Sequence, residues 1–213
     1  AVDPRLAVRR YGDHLREVCR RDACEKIYAV GFGKAAAPMA HALHEELGDR
    51  IEAGLVITKY GHAGGVVAPP RIEIVEAGHP IPDAAGVAGT ARMIDLVRPA
   101  PSNLILCLIS GGGSALLVQP LAGISLTDKQ RLTDLLLKSG ATIGELNAVR
   151  KHLSQVKGGR LAERLYPSRI VSLILSDVIG DRLDTIASGP TAPDGTTYRD
   201  ALAILEKYGL MET

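Results

Sequence analysis

The 213-residue chain is 46% hydrophobic and 23% charged, with a formal charge of +1, no tryptophan and one phenylalanine. Interspersed acids and bases argue against a polyanion-binding face, and so few aromatics leave little for bases to stack on, so nucleic acid is not an expected partner. No apolar run approaches the roughly 18 residues of a membrane span, and Cys19, Cys24 and Cys107, with no CxxC pair, argue against a disulfide framework and point to a cytoplasmic, reducing setting.

An amphipathic segment over residues 4 to 20 opens the chain. Beyond it, short runs rich in Val, Ile and Leu alternate with helical periodicity, the pattern of repeated βα units and a parallel sheet. Strands are expected at 26–30, 54–58, 72–76, 104–109 and 170–175. Helices are expected at about 35–47, 84–97, 127–138, 143–157 and 197–208. The fold class is therefore α/β: a Rossmann-like open parallel sheet with helices on both faces, a three-layer sandwich.

The first strand runs through Gly31-Phe32-Gly33-Lys34-Ala35-Ala36 into a helix that Gly48 stops. As a dinucleotide fingerprint, Gly31, Gly33 and Ala36 fit G-x-G-x-x-A, but the second strand ends in Lys59 where an acid should hold the ribose, which leaves NADP as the dinucleotide option. As a phosphate site, the turn offers backbone N–H groups, a helix N-terminus and the cation of Lys34. His41 and His44 on that helix read as surface residues, having no third ligand. Residues 59–71, with three glycines and two prolines, read as a surface loop. The third strand ends in Gly78-His79-Pro80-Ile81-Pro82-Asp83, a stiffened loop whose aspartate can cap the next helix.

The fourth strand, Leu104-Ile105-Leu106-Cys107-Leu108-Ile109, is apolar on both faces and belongs in the middle of the sheet. It runs into Ser110-Gly111-Gly112-Gly113-Ser114, where three glycines leave the backbone uncovered at the strand's carboxyl end, the place where open α/β sheets bind ligands. Thr127 with Gln130, and Thr142 with Glu145, fit capping boxes. Along the helix expected at 143–157, Leu146, Val149, Leu153 and Val156 form an apolar seam. Asn147, Arg150, Ser154 and Lys157, with Lys151 beside them, form a basic face that suits an anion, and Gly158-Gly159 add backbone expected to be uncovered. After the last strand, Asp177 and Asp181 can hold Mg²⁺ or cap turns, and Ala187-Ser188-Gly189-Pro190 follow.

The strings VGFGKAAAPMA, TKYGH, EAGHPIPD, LISGGGSALL, LNAVRKHLSQVKGGRLA and LSDVIGDRLDTIASGPTAPD together resemble the glycerate 2-kinase family of the MOFRL type, some of whose members are labelled hydroxypyruvate reductase. The resemblance spans nearly the whole chain. It implies ATP- and Mg²⁺-dependent phosphorylation of the 2-hydroxyl of D-glycerate, with a Rossmann-like N-terminal domain and a smaller C-terminal domain enclosing the active site. Lys34 matches the lysine implicated in catalysis. Gly31, Gly33, His79, Ser110 to Ser114, Asn147, Arg150, Lys151, Gln155, Lys157, Gly158, Ser188 and Gly189 fall in segments that line the nucleotide and substrate cleft, with Asp177 and Asp181 as metal contacts.

The chain begins at Ala1, ends at Thr213 and carries no counterpart of the family's C-terminal domain, so it is expected to be the N-terminal part of a longer protein and inactive alone. A homodimer is compatible with the sequence. Two alternatives stand beside the kinase: an NADP-dependent hydroxypyruvate reductase, and a non-catalytic phosphate- or phosphosugar-binding domain.

Overall fold

The structure, a computed structural model, describes residues 2–21, 24–63 and 67–211. The two chain ends and the middle of the 59–71 loop thus lie outside the described residues. The amphipathic opening segment forms two helices, α1 (Pro4–Arg9) and α2 (Gly12–Arg21). Gly12, at the break, packs against the Glu46 carboxylate, which occupies the space a Cβ would take.

Then follow β1 (Ile27–Phe32), α3 (Ala36–Leu47), β2 (Ile51–Lys59), β3 (Ile72–Ala77), α4 (Ala84–Leu96) and β4 (Leu104–Ser110). A four-residue helix α5 (Gly113–Leu116) precedes α6 (Leu126–Lys138), α7 (Ile143–His152), α8 (Arg160–Leu165), β5 (Arg169–Leu175) and α9 (Tyr198–Lys207). The five strands are all parallel in the order β3-β2-β1-β4-β5, with Val30 of β1 opposite Leu55 of β2 and Cys107 of β4. All five expected strands are present, and the three-layer α/β arrangement is as the sequence indicates.

Period-two alternation explains why an unbroken apolar run suits β4. Leu104, Leu106 and Leu108 join Val8, Leu15, Met39 and Leu43 of α1 to α3 on one face. Ile105, Cys107 and Ile109 join Met93, Leu116, Leu161 and Leu165 of α4, α5 and α8 on the other. Burial pushes the Cys107 thiol up to about 12, so it is a core residue without thiolate chemistry. A smaller core beside the sheet joins Leu136, Leu146, Val149 and Ala201 of α6, α7 and α9.

Local chemistry corrects several expectations. The α6 cap is Ser125 with Asp128, two residues earlier than Thr127 with Gln130. Thr142 with Glu145 does cap α7, but that helix ends at His152, so Ser154 and Lys157 lie beyond it. His41 and His44 are half-buried rather than surface residues, and His41 Nε2 and His44 Nδ1 find no partner among the described residues.

Asp83 caps α4 by accepting from Gly86 N–H at 2.9 Å and from the Tyr60 hydroxyl at 2.8 Å. Burial pushes this carboxyl up, but hydrogen bonds from Gly86, Gly78 and Tyr60 outweigh it and hold the group below the usual range. Asp83→Ala is expected to lower stability by about 1 kcal/mol, the usual worth of an N-cap, read as a lower urea midpoint with unchanged slope.

Candidate active site

Strand order reverses direction between β1 and β4, and the carboxyl edge of the sheet at such a switch point is where open α/β sheets place ligands. The β1 and β4 loops meet there. Lys34 N–H donates to Gly111 O at 2.9 Å, Ala35 N–H to Ser110 Oγ at 3.0 Å and Gly33 N–H to Ile57 O at 3.0 Å. Gly33 has φ +128°, and a Cβ on it would overlap Ser110, so only glycine permits this approach.

These bonds change the role of the first glycine turn. The N–H groups of Gly33, Lys34, Ala35 and Ala36 are all engaged within the protein, so the turn is not the open phosphate cradle its sequence suggests. Gly31 lies inside β1, where a Cβ would sit 2.9 Å from Val56 Cγ1 and 3.0 Å from Leu108 Cβ; it is a packing glycine. What the turn presents is the exposed Lys34 side chain, on a backbone further held by Thr58 Oγ1 and His62 Nδ1 at the Lys34 carbonyl, 3.3 Å each.

The second loop has the opposite character. Among the described residues, the N–H groups of Gly111, Gly112, Gly113 and Ser114 donate to no protein acceptor. Gly112, at φ +83°, lies against both Lys34 and His79: a Cβ there would sit 2.9 Å from His79 Nε2 and 3.3 Å from Lys34 Cε. Burial, together with Lys34 and Lys59, holds the His79 imidazole below its usual range. At Gly111 a Cβ would overlap the Asp177 carboxylate, which brings the end of β5 to the same point. Asp181, at φ +50°, is exposed in the following turn.

The expected basic face is only partly a face. Ser114 Oγ and Ser188 Oγ are 2.7 Å apart, and Ser188 Oγ donates to Asn147 Oδ1 at 3.4 Å. Lys157 is 1% exposed and donates to the carbonyls of Ser114 at 2.7 Å and Leu117 at 3.1 Å, while Arg150 donates to Ser114 O at 3.4 Å. Asn147, Arg150, Lys157 and Ser188 thus gather on Ser114.

Lys151 does not join them; it is buried against Asp194, Nζ to Oδ1 3.3 Å. Gln155 donates to Pro120 O and accepts from Arg164, away from the glycine loop. The Gly158 and Gly159 N–H groups, expected to be uncovered, donate to Ser188 O and Gly189 O. They hold the left-handed run Ala187, Ser188 and Gly189, at φ +52°, +65° and +62°, against α5.

Sequence reasoning missed Lys129. This α6 residue is 8% exposed, and its Nζ donates to Leu153 O at 2.9 Å. Burial, then Arg150 and Arg160, bring its pKa down to about 7. Lysine on an amphipathic helix reads as solvated, and nothing local marks this one as buried.

The reversed strand order and the Gly111 to Ser114 amides, unpaired among the described residues at the carboxyl edge of the sheet, define an α/β domain of the doubly wound class with a glycine-rich crest. The chain belongs to the family described as a domain of unknown function, DUF4147, whose model matches residues 1–213. It is 54% identical to the D-glycerate 2-kinase of Thermotoga maritima over 92% of this chain and 47% of that protein. A putative hydroxypyruvate reductase of Agrobacterium vitis is 51% identical over 85% of the chain and 47% of its own length.

Among solved structures, glycerate kinase from Thermotoga maritima superposes with a TM-score of 0.89 at 51% identity, over all of this chain and 49% of that one. A Pyrococcus horikoshii protein gives 0.83 at 48% identity, over 88% and 42%. The chain therefore spans about half the length of the curated relatives it matches. Among the described residues no helix is long and apolar enough to cross a membrane.

Proposed function

We propose that this chain is the N-terminal α/β domain of a glycerate 2-kinase and carries one wall of a phosphoryl-transfer cleft, the other wall coming from a second domain. The observation that carries the reading is the pairing of the Gly111 to Ser114 amides, which donate to no acceptor among the described residues, with the exposed Lys34 side chain, whose backbone is bonded in place beside them. The name of a relative at 54% identity supplies the substrate, D-glycerate, and the donor class that a kinase requires, ATP.

In the reaction the 2-hydroxyl oxygen of glycerate forms a bond to the γ-phosphorus, the bond from that phosphorus to the β,γ-bridging oxygen breaks, and ADP leaves. The transition state places charge on the peripheral phosphoryl oxygens, so positioned donors and cations contribute most. Lys34 and the loop amides meet that charge. His79 lies against Gly112, with burial, Lys34 and Lys59 holding its imidazole below the usual range, and serves as the base for the hydroxyl proton.

Mg²⁺ is commonly held by one or two carboxylates plus substrate phosphates, and Asp177 fits this role, its carboxylate lying against Gly111. Asp181, four residues on, is the second candidate. The ion would supply charge neutralisation at the phosphoryl oxygens. We place the enzyme in the cytosol, a reading supported by Cys107, whose thiol lies in the core of the sheet.

The test uses the full-length protein. ADP formation from ATP, Mg²⁺ and D-glycerate is expected, with no NADPH consumption on hydroxypyruvate. Hydride transfer without ADP formation would establish the reductase instead, and ligand binding with neither activity would establish the non-catalytic module.

A further inference from the structure

A cavity of about 650 Å³ opens beside the crest, between α6, α7 and the Pro80–Pro82 segment, with Ser114 at its margin. Besides Arg131 and the neutral Thr127, Gln130 and Thr133, its polar lining holds three basic side chains: Lys129, Arg150 and Lys157. Each donates to backbone carbonyls, and the hydrogen bonds above give none of the three a carboxylate partner. The one carboxylate lining the cavity, Asp134, is paired with Lys138 at 2.7 Å. Lys129 faces Arg150 of α7 and Arg160 of α8, and Lys157 faces Arg150 and Lys129; burial first, then these like charges, hold both lysine amines below their usual range.

The walls are of a different kind. Ile81, Pro82, Val118 and Leu137 line the recess, and Ile81 and Leu137 are 68% and 57% exposed, unusually open for such side chains. A ligand matching both parts is an anion at one end and a flat apolar body at the other. The volume lies within the roughly 300–1,000 Å³ typical of small-molecule and cofactor pockets, and is several times what a three-carbon acid fills.

We propose that this cavity is the nucleotide subsite: the polyphosphate lies on Lys129 and Arg150, Lys157 supports them from beneath through the Ser114 carbonyl, the base lies against Ile81, Pro82 and Leu137, and the Lys34 crevice is left for the small acceptor acid. The assignment rests on the phosphoryl-transfer reading above. It places the transferred phosphoryl near Ser114, the residue shared by the cavity and the open glycine loop. An anion beside Lys129 and Arg150 favours the charged form of Lys129, so binding takes up a proton above neutral pH.

ADP titrated calorimetrically into the full-length protein tests this. Lys129→Met is expected to weaken ADP binding about tenfold or more, as loss of a charge-assisted phosphate contact should, while KM for the acid stays within about twofold. Lys129→Gln keeps a donor for Leu153 O without the charge and should weaken ADP as well, which separates charge from folding. At pH 8 the wild-type binding enthalpy should vary with the ionisation enthalpy of the buffer, and that of Lys129→Met should vary less.

Unchanged ADP affinity in both variants, or a raised acid KM with ADP unaffected, overturns the subsite and leaves the kinase reading standing. A wild-type protein that neither binds ADP nor forms it overturns the kinase reading itself, and the subsite with it.

Discussion

Lys34→Ala in the full-length protein is expected to lower kcat by about 10²–10³-fold, the usual effect of deleting one preorganised charge donor at a transition state. The structure makes this a clean experiment, because the Lys34 backbone is held independently of its side chain. Its N–H is bonded to Gly111 O and its carbonyl accepts from Thr58. The side chain itself is exposed, so its removal opens no cavity and the urea midpoint should hardly move. Lys34→Arg keeps the charge on a planar head that cannot take the same position beside Gly112, and an intermediate rate is expected. Full turnover in Lys34→Ala would remove the lysine from the chemistry.

The second large effect is on stability and runs through Lys129. In the unfolded chain this amine titrates near 10.5, and in the folded protein at about 7. Below the folded value both states are protonated and the full penalty of burying the charge is present. Between the two values the unfolded state binds the additional proton, so stability rises with pH; above the unfolded value both states are neutral and the penalty is gone. Relative to Lys129→Met, the wild-type chain should therefore gain stability from pH 7 to 10, by on the order of 4 kcal/mol at most. Urea unfolding of both proteins across this range measures it. A difference that does not change with pH would show that Lys129 stays charged throughout.

The architecture was readable because βα repetition writes itself as alternating periods, and because β4 is too apolar to sit anywhere but mid-sheet. Asp83, Thr142 and Gly48 marked real helix ends because caps act within three residues. Non-local features were not readable. Leu153 and Val156 continue the apolar spacing of α7 although the helix has ended, since both still pack inward from the segment that leads to buried Lys157. Helices α5 and α8, at four and six residues, are too short for periodicity to register.

The site was legible to the same degree. Lys34, His79, the Ser110 to Ser114 loop and Asp177 converge, as their places at strand ends suggested. Yet which glycine turn keeps its amides free depends on Ser110 and Ile57, far away in the chain, and the burial of Lys129 depends on α7 and α8.

The three bonds that stitch the β1 loop to β2 and β4 have one more consequence. A flexible lysine loop would have to be ordered each time a ligand arrived, and that entropy would be subtracted from affinity and from rate. Here the ordering takes place once, when the sheet folds and Gly33 closes against Ser110. The backbone that carries Lys34 is already in position at every encounter, and only the rotamers of one side chain are left to settle.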